Sequence, residues 1–364
     1  GRFELLYLPT LRPQYTPLTG RWAPAEAHLL RRLVDGYASS LASLRGEASG
    51  VGDTSAPGGA YAPATVAWAE STADNALIFE PTKTLDFAQI GARATARLGG
   101  FDIGALYYWG YKKTPTPRIR LADTDAAEAG TPAPDPDGEI DLVYDRVHAF
   151  GLEGAAVLGP FNLRGEAAYN LTDDIAGDDP EVPNNSVEYL FGFDVDLGLS
   201  SLNLNVQGTG EYTLASQTID DQGPLADATY TESYITQLAA VDPAAALALQ
   251  TRLTNALATN EYALLFLDPT ARLNYEYDED GIYTTHVVTA TLSDSWRNDR
   301  VRPEVTVSVG VERLDWRLVP AVEFVLRDDS LFELSAAVYE GDEDGVFGQY
   351  RENDFVQVRF EYRF

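Results

Sequence analysis

The residues of this chain that could do chemistry are charges placed at every second position. Arg93, Arg97, Lys112, Arg164, Arg317 and Arg359 share a parity with Glu153, Glu166, Asp194, Asp196, Glu304, Glu312, Glu323 and Glu361, within segments whose other positions are apolar. Asp102, Glu211, Arg327 and Glu333 fall on the same parity. In an extended strand, residues two apart point to one side. One side of each such strand is therefore polar and mixed in charge. Two chemistries follow: opposed charges that set a field across a water-filled constriction, or paired charges that seal an interior.

A second set is acidic and sits between the alternating segments. Asp173, Asp174, Asp178 and Asp179 lie together with Glu181, Asp278 to Asp280 form another run, and Asp342 to Asp344 a third. Carboxylate oxygens of this density suit Ca²⁺, although none of the runs has the spacing of an EF-hand loop. The competing reading is a solvated acidic loop, with divalent bridging to surface polysaccharide as a related role. No other cofactor is expected.

Enzyme chemistry finds little footing. Cysteine is absent, which excludes thiolate nucleophiles, disulfides and cysteine metal sites. The imidazoles are His28, His148 and His286; none lies in a nucleophile motif, and His286 shares the apolar parity of Val288. With 56 acidic against 26 basic residues the net charge is −30, a field that repels nucleic acid.

The elements that must position these charges are strands. From Val356 to Phe364, Val, Val, Phe, Tyr and Phe alternate with Gln, Arg, Glu and Arg. The same period recurs back along the chain, for example in Phe332 to Tyr339, Trp316 to Arg327, Phe161 to Tyr169 and Phe101 to Lys112. Each segment is about 10 residues, the length that crosses a bilayer when tilted. About twelve strands emerge, with residues 2–9 as the first. No run of about 18 apolar residues occurs, so a helical membrane span is excluded.

Connections alternate in length. Tight joins fall near 99–100, 159–160, 198–200, 297–300 and 327–329, and long segments at 10–85, 113–146, 172–184, 214–281 and 341–353. If Phe364 marks the periplasmic end, every tight join is periplasmic and every long one external, with a short outer join near 314. The expected fold is all-β: a single antiparallel up-and-down transmembrane barrel over 1–364, integral to a bacterial outer membrane. Within the two longest loops, 10–85 and 214–281, helical spacing predicts helices over 24–45, through Leu29, Leu33, Tyr37 and Leu41, and over 243–260, opened by Asp242-Pro243. Such helices either narrow the lumen or lie outside it.

Short stretches distributed along the chain carry a resemblance. Glu4-Leu5-Leu6-Tyr7-Leu8-Pro9, Tyr107 to Pro115, Arg164-Gly165-Glu166-Ala167-Ala168-Tyr169 and Phe347-Gly348-Gln349-Tyr350 resemble a family of bacterial outer-membrane, porin-like barrel proteins of unknown function. The resemblance implies the same location and architecture, a further N-terminal stretch, and no catalytic residues. Phe364 after alternating aromatics resembles the C-terminal signal read by the barrel assembly machinery. Expected partners are outer-membrane lipids and lipopolysaccharide, that machinery, and a second copy or another outer-membrane protein. Two functions compete: a channel for small hydrophilic solutes or ions, and a non-conducting barrel that binds surface molecules through its acidic loops.

Overall fold

A computed structural model describes residues 1–14, 17, 19–49, 75–120, 139–327 and 329–362. In chain order its elements begin with β1 (Arg2–Leu8), α1 (Ala25–Ser49), β2 (Leu77–Phe79), β3 (Gln89–Leu98), β4 (Phe101–Tyr111), β5 (Thr116–Arg120) and β6 (Glu139–Val143). They continue with β7 (Arg146–Leu158), β8 (Phe161–Thr172), β9 (Ser186–Asp196), β10 (Asn203–Thr213), α2 (Ser216–Gln222), β11 (Leu225–Ala226), α3 (Tyr230–Val241), α4 (Pro243–Thr259) and β12 (Arg272–Leu273). The last are β13 (Thr284–Ser293), β14 (Val301–Gly310), β15 (Trp316–Arg327), β16 (Ser330–Glu340) and β17 (Phe355–Tyr362).

Twelve strands form one sheet in the order β1-β3-β4-β7-β8-β9-β10-β13-β14-β15-β16-β17, every neighbour antiparallel. The order is up-and-down: each long strand pairs with the long strands before and after it. Among the described residues β1 pairs only with β3 and β17 only with β16. Tight hairpins need a residue that accepts positive φ, and Gly99 (φ 62°) and Gly159 (φ 62°) supply it at the β3–β4 and β7–β8 turns.

Alternation gives the sheet two unlike faces. One face carries Leu5 at 73% exposed, Leu152 at 67%, Val356 at 74% and Phe360 at 63%, with nothing of the described chain covering them. Aromatic side chains gather at both ends of this face. At the loop end the Tyr107 hydroxyl lies 2.8 Å from His148 Nδ1, and Tyr189 and Tyr212 pack about the His286 ring. At the turn end Phe324, Phe332 and Phe360 are side by side on three strands, and Phe161 meets Phe193 at 5.8 Å. The opposite face is polar and charged.

The long connections build a second body at the loop end. Along α1, Leu33, Val34, Tyr37 and Leu41 recur at helical spacing and pack against Tyr262, Leu265 and Phe266. The approach is close: a Cβ at Gly36 would meet the Tyr262 backbone at 2.9 Å, so only glycine fits. Ser40 Oγ donates to the Ala263 carbonyl at 3.0 Å, and Asn260 Nδ2 to that of Arg32 at 2.9 Å, fixing the register. Beside this core, β6 pairs parallel with β2 and antiparallel with β5, burying Ile140 and Leu142 completely. Full burial of each such side chain contributes about 1.5–3 kcal/mol. α4 starts where Asp242 accepts the N–H groups of Ala244 (3.1 Å) and Ala245 (3.0 Å), with Pro243 in its first turn.

The helices expected over 24–45 and 243–260 are therefore observed as Ala25–Ser49 and Pro243–Thr259. The sheet β2-β6-β5 and helix α3 carry too little local period to be read from sequence. The short loop-end join between β14 and β15 is held by Asp315, 1% exposed, whose carboxylate accepts the N–H groups of Phe347 and Gly348.

Candidate functional site

The charges of the polar face fall into distinct sectors. On the first strands Arg93 reaches across three of them, with Nη1 3.6 Å from Glu4 on β1 and Nη2 2.5 Å from Glu153 on β7. Arg97 holds Asp102 through two hydrogen bonds of 2.8 Å. On the last strands Arg302 pairs with Glu323 at 2.7 Å and Arg359 with Glu333 at 3.0 Å. Glu323 and Glu333 are opposite one another in register, as are Glu153 and Glu166, and in both pairs an arginine offsets the like charges. Glu304 and Arg317 share this face with Glu323, and Glu361 shares it with Arg359. Arg164 lies beside Gly192 on the same face.

Between these sectors the composition changes. No lysine or arginine occurs in β9, β10 or β13. Their polar face offers Glu188, Asp194 and Asp196 on β9, Asn203, Asn205, Gln207 and Glu211 on β10, and Thr285, Thr289 and Thr291 on β13. The amides serve the acids: Asn162 donates to Asp194 at 2.7 Å, Asn203 to Asp196 at 2.9 Å and Asn170 to Glu188 at 2.6 Å. These carboxylates are solvated by amides rather than neutralised by cations.

At the loop end this acidic sector meets the second body. The Glu276 carboxylate, largely buried, accepts the Asn184 N–H at 2.8 Å. Burial pushes its pKa up to about 7; Glu211 and Asp145 nearby push the same way, and Lys112 opposes. Asp145, 6% exposed, is raised by burial too, against hydrogen bonds from Thr116 and Arg118. Lys112 follows the end of β4, and its N–H donates to the Asp145 carbonyl at 2.9 Å. Tyr275 adjoins this buried cluster, and burial raises its hydroxyl well above the ordinary range.

Tyr275 also lines a half-open cavity of about 1100 Å³ among the loops. Its walls come from most of the long connections: Pro13, Leu29 and Arg32, Phe79, Glu80, Thr82 and Lys83, Pro115 and Pro117, Tyr144, Glu261 and Tyr262, Tyr277 to Asp280, Arg313 and Asp344. That volume holds a small organic molecule. Arg313 is engaged by Asp280 at 2.6 Å and Asp278 at 3.2 Å, and the Arg32 guanidinium lies 5.3 Å from the Tyr262 ring centre. The sequence pattern could not reveal this cavity, because its walls are as far apart in the chain as Pro13 and Asp344.

One expectation is corrected by these positions. Glu312 does not join the polar face. The chain turns after Gly310, parity fails there, and the Glu312 carboxylate accepts the His286 N–H at 2.9 Å and the Thr284 hydroxyl at 3.2 Å, beside the apolar face. Of the four carboxylates of the Ca²⁺ reading, two are engaged by backbone N–H groups of their own loop. Asp174 spends its oxygens on the N–H groups of Gly177 and Asp179, both at 2.9 Å, while Asp179 accepts from Glu181. Among the described residues no three acid or imidazole groups converge as a metal site. Phe364, expected to address the assembly machinery, lies outside the described residues.

The chain matches no protein-family model and no curated protein.

Proposed function

We propose that this chain is a transmembrane up-and-down β-barrel of a bacterial outer membrane, acting as a porin-like channel for small hydrophilic solutes. The observation that carries the reading is the inverted sidedness of the sheet. A soluble sheet hides its apolar face, whereas here twelve strands expose Leu, Val and Phe on one side and keep the charges on the other. Soluble monomers rarely leave a contiguous apolar surface beyond a few hundred Å² in water. Lipid covers such a face, and the aromatic side chains at its two ends fit the two membrane interfaces.

In hydrocarbon an unpaired backbone group costs several kcal/mol, so this reading requires the edges of β1 and β17 to pair and close the sheet in the membrane. The segment after β1 supports closure: it leads to Trp22, whose ring packs on Tyr339 at 6.0 Å and Phe355 at 6.2 Å, next to the far edge. A lumen of twelve strands is wider than side chains alone fill, and the polar face would line it. Lipopolysaccharide, the assembly machinery through Phe364, and a second copy remain the partners of this reading.

Single-channel recording in planar bilayers tests the proposal. Ohmic steps are expected, and Phe266→Ala, which removes a fully buried ring at a local cost of about 3–5 kcal/mol, should loosen the loop-end body and enlarge them. A folded, heat-modifiable protein that stays silent in both forms overturns the channel. It would favour the second reading, a non-conducting surface barrel, which the packed core of the loop-end body also suits.

A further inference from the structure

We propose that the loop-end cavity binds alkylammonium cations, and that these are the solutes the acidic sector below it then accepts. The first half stands on the cavity alone; the second rests on the channel reading.

The argument begins with which lining charges are already engaged. Arg313 is committed to Asp278 and Asp280, and Arg32 to the Tyr262 ring. Glu261, Glu279 and Asp344 are exposed and take part in no ion pair among the described residues, and together with Glu80 they outnumber the two lining bases not paired to an acid, Arg32 and Lys83. An anionic solute would meet uncompensated carboxylates, whereas a cation would compensate them.

The second observation is aromatic. Phe79 is 54% exposed although it lines the cavity, and Tyr277 is half-buried beside it. A cation over such a ring is attracted by the negative face of its π system. Arg32 on Tyr262 already uses this wall in that way. A bare divalent ion fits less well, since Ca²⁺ needs six to eight converging oxygens and no three acid groups converge here. Rings beside single carboxylates suit a soft, alkylated ammonium.

Beneath the cavity the same preference continues. Tyr275 on the cavity wall neighbours Glu276 and Glu211, and Glu211 shares the polar face with Glu188, Asp194 and Asp196 on strands β9 and β10, which carry no lysine or arginine. A cation leaving the cavity for this sector would meet carboxylates in excess, with Arg164 of β8 beside Gly192 as the neighbouring base.

The test is titration calorimetry of the full chain in detergent at low salt with choline chloride, and in parallel with its uncharged isostere 3,3-dimethylbutanol. Choline should bind at least about tenfold more tightly than the isostere, a difference of about 1.4 kcal/mol. Glu279→Gln and Tyr277→Leu should each weaken choline about tenfold, while Glu323→Gln, on the opposite sector, should not. Equal binding of the two compounds, or no heat from either, overturns the inference. A protein that prefers choline but does not conduct keeps the binding site and loses the channel. One that conducts without that preference loses only the cation assignment.

Discussion

Glu188 on β9 stands directly opposite Glu211 on β10, and among the described residues neither carboxylate is ion-paired. Like charges in that relation destabilise a sheet, by up to about 1 kcal/mol. Elsewhere on the same face the chain offsets such pairs with Arg93, Arg302 and Arg359. Under the proposed channel, the uncompensated pair would act on a passing solute. Glu211→Gln should therefore raise stability to urea by about 0.5–1 kcal/mol while lowering the permeability ratio of K⁺ to Cl⁻. A destabilised variant with unchanged selectivity would assign the pair a structural role.

The buried carboxylate of Glu276 makes the loop-end body sensitive to pH. Its folded pKa, about 7, lies above the ordinary carboxylate range, so the folded state holds a proton that the unfolded chain has already released. Stability from this group is complete below the ordinary range, falls as pH rises, and reaches its lower plateau above about 7. Amide hydrogen exchange in Glu261–Phe266 should accordingly be slower at acid than at alkaline pH, after correction for the intrinsic rate. Glu276→Gln should remove that dependence. Opposite or absent pH dependence in the parent chain would contradict the assignment.

Asp315 ties one outer turn to another. Its buried carboxylate serves Phe347 and Gly348, and Gly341 and Gly345 crowd it so closely that a Cβ on either would come within 3 Å. Charge-assisted bonds of this kind are each worth about 1.5–3 kcal/mol. Asp315→Ala should expose 341–354 to limited proteolysis at protease levels that leave the parent intact, and Asp315→Asn should do so less. Resistance of the alanine variant would show that the loop is held from elsewhere.

How much of this was legible in the sequence depends on the range of the forces involved. Alternation is local, so strands such as Phe161–Thr172 and Phe355–Tyr362, and the shared face of Arg93, Glu153 and Glu166, follow from period two. The helix through Leu33, Tyr37 and Leu41 follows from its own spacing in the same way. Glu312 was misplaced because parity loses meaning once the strand ends at Gly310. Nothing local marks Glu276 as buried, since its environment comes from Asn184, Lys112, Asp145 and Glu211 on separate connections. The cavity is a property of that assembly, and so is the contrast between arginine-paired sectors and the unpaired sector of β9 and β10.

The most direct test of the account is the sidedness of β17 in lipid. The chain has no cysteine, so single variants Val356→Cys, Gln357→Cys, Val358→Cys, Arg359→Cys and Phe360→Cys can be labelled in liposomes with a membrane-impermeant maleimide. Reaction should alternate, with 357 and 359 labelled and 356, 358 and 360 protected by lipid. Uniform labelling of all five, or protection of 357 and 359 instead, would contradict a membrane barrel with its polar face inward.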